Sequence, residues 1–174
     1  MNASLQPQHL AALAVALAAS GFDLRTRRIP NALTFGAAAA ALGYAMATHG
    51  VSGLLTSAGG WFTGCALFLP FFALGGLGAG DVKLAAAVGA WIAPRDAFWM
   101  SMYTMVAGGV LAILVSLATG YLKHAIANVS LLLTHWRIAG ISPLSELTLS
   151  QARGTRLPYA LPIAVGTAGA LLWH

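Results

Sequence analysis

Charge is what this chain has least of. Only 7% of its 174 residues are Asp, Glu, Lys or Arg, against roughly 25% in an ordinary soluble domain. So few charges cannot cover a surface that faces water, and 59% of the residues are apolar. The solvent around most of the chain is therefore expected to be lipid. Cysteine is nearly absent too. The one present, Cys65, excludes an intrachain disulfide or a Cys-x-x-Cys metal site and reads as a small buried hydrophobe. Five histidines, His9, His49, His124, His135 and His174, are scattered. No His-Glu-x-x-His occurs and no glutamate lies near an apolar run, which argues against a zinc protease. No histidine is well placed within a run for a Ser/His dyad. No internal repeat is evident, which weakens an inverted-repeat transporter. Neither metal nor cofactor is expected.

What the chain does have is a series of apolar runs. A helix needs about 20 residues to cross the hydrocarbon core. Six runs qualify as candidates: Leu5–Phe22, Asn31–Thr48, Val51–Leu74, Asp81–Ala93, Ala97–Gly120 and Leu157–Trp173. The fourth is short, so either the bilayer thins there or the glycine-rich loop before it, 75–80, dips into the membrane. The first run has no Lys or Arg before it, and Arg25, Arg27 and Arg28 follow it, which suits a retained span better than a cleaved leader. The length suits one bundle, residues 1–174, with no second sizeable domain.

The basic residues orient that bundle. With the N-terminus outside, every one of the nine Lys/Arg except Arg95 falls on the inner side, and the positive-inside rule selects N-out, C-out. This topology also accounts for the net charge of +5 without nucleic acid. Leu122, Ile126, Val129, Leu133 and Trp136 recur at helical spacing, which predicts a helix in the cytoplasmic interface between the fifth and sixth spans. A continuation of the fifth span is the alternative. The segment Ser145–Arg156 is polar and reads as a loop. Trp61, Trp91, Trp99, Trp136 and Trp173 fall mostly near run ends, as a membrane-interface belt would place them. The fold class is thus an all-α integral membrane protein with six transmembrane helices.

The whole acidic inventory is Asp23, Asp81, Asp96 and Glu146. Asp96 adjoins Arg95 in a short turn, where a helix N-cap role suffices. Glu146 sits in the polar loop and reads as solvated. Asp23 and Asp81 each lie where an apolar run meets the inner face, and three alternating crossings bring both to the same side. Ionisable groups at that depth normally face the bundle interior. Two carboxylates there can hold a water between them, one taking its proton and the other polarising a carbonyl. Capping and local pairing with Arg25 or Arg27 are the bland readings, and a proton relay is a third.

The local sequence separates these. Gly78-Ala79-Gly80-Asp81 is a Gly-x-Gly-Asp motif, extended as Gly-Leu-Gly-Ala-Gly-Asp-Val-Lys and opening a helix. Asp23-Leu24-Arg25-Thr26-Arg27-Arg28-Ile29-Pro30-Asn31 places an aspartate after a span, then a basic loop and Ile-Pro-Asn. Arg156-Leu157-Pro158-Tyr159-Ala160 opens the last run. Together they resemble the type IV prepilin peptidases, membrane aspartyl proteases of the GxGD type. The short form is most like the peptidases of Flp/tight-adherence pilus systems, with archaeal preflagellin peptidases a related alternative. Presenilin-like proteases share the GxGD, but Phe22 stands where they carry tyrosine.

The resemblance implies that Asp23 and Asp81 are catalytic, and that Gly78 and Gly80 present the second of them. It implies a membrane-inserted prepilin as substrate, cut after a glycine at the cytoplasmic face of the bacterial inner membrane, with no cofactor. Larger members also carry a domain with paired Cys-x-x-Cys motifs, associated with N-methylation. This chain lacks those cysteines, so methylation is not expected. Lys83 either snorkels to the interface or, with the loop arginines, receives the glutamate such pilins carry just after the cut. A small proton-coupled carrier using Asp23 and Asp81, or a non-enzymatic pilus-assembly protein, are the alternatives.

Overall fold

The computed structural model describes residues 6–140 and 157–173, and among these it is entirely helical. The elements are α1 (Pro7–Thr26), α2 (Asn31–Ala73), α3 (Ala79–Ala118), α4 (Leu122–Ala139) and α5 (Ala160–Trp173). Glu146, Arg153 and Arg156, with the polar loop that holds them, lie outside the described residues.

Two elements are broken helices. In α2, Gly50 has φ 62° and ψ −148°, a conformation open to a residue without Cβ. In α3, Ala93 has φ 66° and ψ 167°, which strains an L-residue. Pro94 follows it and begins a fresh helical turn. At each break the chain doubles back. A Cβ on Gly53 would strike the Ala45 carbonyl, and one on Gly89 would lie 3.4 Å from the Ala97 methyl. Residues eight apart on a continuous helix would be about 12 Å apart along its axis. The six apolar runs therefore each form a helical leg: 7–26, 31–49, 51–73, 79–92, 94–118 and 160–173. The fourth leg starts at Ala79, two residues before the expected Asp81. The turn expected at Arg95-Asp96 is sharper than that: the break is Ala93 alone. Asp96 thus sits in the third position of the next leg rather than at its N-cap, still where a helix end favours an acid.

The legs meet through small residues. Gly60 and Gly64 lie against the backbone of Gly89 and Ala85 so closely that a Cβ on either would collide with a carbonyl, and Ser57 Oγ donates to the Ala90 carbonyl at 2.8 Å. Ala12, Ala16, Ala19 and Asp23 are buried on one stripe of α1. The first leg of α3 is buried on nearly every side, from Val82 to Ile92. Large apolar side chains point outward instead, among them Leu17, Phe62, Val106 and Leu172, each more than 60% exposed. Close packing of small residues inside with leucine and phenylalanine outside is the arrangement suited to lipid. Both α2 and α3 are long and apolar enough to cross a membrane.

Gly120, at φ 68°, separates α4 from α3. The continuation of the fifth run into one long helix is therefore not what forms: α4 is a helix of its own, with Ile126 and Val129 exposed. The tryptophans divide. Trp61 and Trp173 are exposed, whereas Trp91 and Trp99 pack inward against the core.

Candidate active site

The ends of four helices converge on one open cavity of about 560 Å³. Its walls come from the end of α1 and the loop after it (Asp23, Arg27, Arg28, Ile29), the two ends of α2 (Asn31 and Phe72), the α2–α3 connection (Gly75, Leu77, Gly78), the start of α3 (Ala79, Gly80, Asp81, Lys83) and Leu157. Asp23 and Asp81, 58 positions apart in the chain, face the same space. Gly78, Gly80 and Lys83 line it as well. The residues singled out in the sequence are brought together here.

Each carboxylate is held by a backbone amide. Asp23 is buried, on the same stripe as Ala12, Ala16 and Ala19. Its Oδ2 accepts the Ala160 N–H at 3.2 Å, one of the amides that a helix leaves unpaired in its first turn. The N-terminus of α5 thus anchors the last residue of α1's buried stripe. Asp81 stands at the third position of α3, and its Oδ2 accepts the N–H of Gly78, the residue before the helix, at 3.1 Å. Asp81 therefore does act as a local cap, but a carboxylate offers about four lone-pair sites. One amide bond leaves each with capacity for water or substrate.

The glycines of the motif differ in what they touch. A Cβ on Gly78 would sit 3.1 Å from Asp81 Oδ2, whereas one on Gly80 would meet the Ile29 side chain at an ordinary 3.5 Å. Gly80 therefore packs the second motif onto the Ile-Pro-Asn of the first. The αL conformation of Arg27, φ 53°, turns the chain out of α1, and Pro30, three residues later, is the extended N-cap residue from which α2 begins at Asn31.

Lys83 does not pair with Asp81. Its Nζ donates to Asn31 Oδ1 at 3.0 Å and lies 5.2 Å from the centre of the Phe35 ring. The amine is thereby held at the cavity wall. Asn31 and the Ala160 amide were not singled out in the sequence as site residues. Both lie in motifs quoted there, but nothing in residue spacing says which group a backbone N–H or a side-chain amide will meet. Among the described residues no group of three His, Cys, Asp or Glu is placed to hold a metal ion.

The chain's residues 10–113 match the model of the type IV leader peptidase family. No curated protein and no solved structure matches the chain. More than half of the chain is covered, and it belongs to the type IV leader peptidase family. Membership and the two membrane-length helices together mark it as a membrane protease.

Proposed function

We propose that this chain is a membrane aspartyl endopeptidase that removes the basic leader of a prepilin at the cytoplasmic face of the bacterial inner membrane, with Asp23 and Asp81 as the catalytic pair. The observation that carries this reading is that the two aspartates, from the ends of different helices, line one cavity. Six crossings with N-out, C-out topology put that cavity on the side of Arg25, Arg27 and Arg28. The first leg of α3 is short for a full crossing, so Asp81 would sit below the level of the headgroups.

The chemistry needs no covalent intermediate. The ionised carboxylate takes a proton from water as its oxygen attacks the scissile carbonyl carbon. The protonated partner gives its proton to the carbonyl oxygen. The tetrahedral species collapses with cleavage of the C–N bond: the leaving amine takes a proton from the carboxyl that received one, and a hydroxyl of the diol returns its proton to the partner carboxylate as the new carboxyl group forms. The amides of Ala160 and Gly78 keep both carboxylates oriented through these steps, and orientation of the reacting groups lowers the barrier. Lys83, held by Asn31, is a partner for a pilin carboxylate near the cut.

Co-expression with a prepilin tests the proposal. The pilin should shorten with this protein and remain full-length with Asp81→Asn. A proton-coupled carrier would leave the pilin intact with either. A non-enzymatic assembly protein would tolerate substitution of both aspartates.

A further inference from the structure

The N–H that holds Asp23 belongs to the peptide bond between Tyr159 and Ala160, so whatever fixes Tyr159 also fixes the donor. The start of α5 leaves that donor available. The Leu161 N–H bonds back to the Pro158 carbonyl and the Ile163 N–H to the Tyr159 carbonyl, each at 3.3 Å. The Ala160 N–H is one of the first-turn amides that a helix does not pair internally, and it reaches across to α1 instead. Pro158 precedes it with a fixed φ and no N–H of its own. The Tyr159 side chain gives this peptide a further anchor.

That side chain rests on bare backbone. At Gly108, in the second leg of α3, an added Cβ would strike the Tyr159 hydroxyl and lie 2.7 Å and 3.0 Å from two of its ring carbons. Only a residue without Cβ leaves the ring its seat. The ring also borders a small apolar cavity of about 110 Å³, with Phe68, Phe71 and Met105, so it has space to enter if the seat is filled. The rest of α5 is fixed independently. Gly166 lies so close to the Thr104 hydroxyl and the Met100 carbonyl that a Cβ there would collide, and Ile163, Thr167 and Ala170 are buried. A methyl group at position 108 would thus displace the ring and its peptide while the helix stays packed. Tyr159 is not among the residues that line the aspartate cavity, which separates it from the groups that meet substrate. We infer that Tyr159, seated on Gly108, is a positioning residue: it sets the Ala160 amide against the Asp23 carboxylate and thereby aims Asp23 at the space it shares with Asp81. The inference rests on the peptidase reading with Asp23 in the catalytic pair.

The test is a double-variant cycle read by kcat and KM on a synthetic prepilin segment, with each full-length variant purified into liposomes. Gly108→Ala should lower kcat about tenfold, the size expected when a hydrogen bond to a charged group is weakened. KM should stay within about twofold of wild type, because the disturbed group acts in the chemical step. Tyr159→Leu lacks the atoms that meet position 108 and should be slowed to a similar extent. Adding Gly108→Ala to it should then cost less than about twofold more. Tyr159→Phe keeps the ring in its seat and should stay close to wild type. Losses that multiply in the double variant, a raised KM with unchanged kcat, or wild-type kcat in Gly108→Ala or Tyr159→Leu would overturn the inference. So would a Tyr159→Phe as slow as Tyr159→Leu, since the hydroxyl and not the seat would then matter. If Gly108→Ala fails to accumulate, the two Tyr159 variants decide: a slow leucine beside an active phenylalanine supports the inference, and any other pairing overturns it. Cleavage by wild type and none by Asp23→Asn keeps the peptidase reading standing whichever way the cycle falls. A wild type that leaves the segment intact removes both.

Discussion

The two glycines before Asp81 look equivalent in a Gly-x-Gly-Asp motif, but the structure separates them. A methyl group at position 78 would lie 3.1 Å from Asp81 Oδ2, inside ordinary carbon–oxygen contact. The carboxylate must then swing away by a few tenths of an ångström. The bond it would lose is the one from the Gly78 N–H, already 3.1 Å long. A hydrogen bond to a charged group is worth about 1.5–3 kcal/mol, so Gly78→Ala should lower the cleavage rate by about 10- to 100-fold. At position 80 the new methyl would meet Ile29 carbons at 3.5 Å or more, ordinary packing distance, and alanine favours the helix by about 1 kcal/mol. Gly80→Ala should therefore keep most of the activity. The assay is the fraction of a co-expressed prepilin shortened with time, normalised to the amount of each variant in the membrane. Wild-type cleavage by Gly78→Ala together with a crippled Gly80→Ala would refute the claim that the Gly78 amide sets the position of Asp81.

Gly64→Leu should sharply reduce the amount of protein in the membrane, because any Cβ there collides with the Ala85 carbonyl and overpacking typically costs about 1–3 kcal/mol or more; Gly109→Ala, with nothing within 4 Å of the added carbon, is the control that should accumulate normally. Cysteines introduced at positions 26 and 150, in a Cys65→Ala background, should resist an impermeant thiol reagent added outside intact spheroplasts, and labelling from outside would reverse the topology. Lys83→Ala should raise KM more than it lowers kcat, and replacing the pilin glutamate by glutamine should cost much less in that variant than in wild type. Losses that simply add would mean the two side chains do not interact.

Much of this was legible in the chain itself. Long apolar runs and the placement of Lys and Arg give six helical legs with ends within a few residues, because lipid demands helices and little else. The two aspartates stand out because four acids in 174 residues leave few places for acid–base chemistry. The finer features were not legible for physical reasons. The first leg of α3 is buried on nearly all sides, so it carries no amphipathic stripe to mark where it starts. The break at Ala93 depends on how two legs pack, and alanine gives no local sign of a positive φ. Trp91 near a run end reads as an interface residue, yet it turns inward to Tyr44. The Ala160 amide that holds Asp23 belongs to the backbone, and no residue type announces it.

The central claim is that Asp23 and Asp81 act as one catalytic unit. The most direct measurement uses the purified protein in liposomes with a synthetic prepilin segment and reads the product masses over time. Wild type should release the leader at a single bond before the pilin's apolar helix. Asp23→Asn and Asp81→Asn should each lose at least the 10²–10⁴-fold typical of a general acid or base, and the double variant should be little slower than either single one. Near-normal cleavage by either single variant would contradict the account.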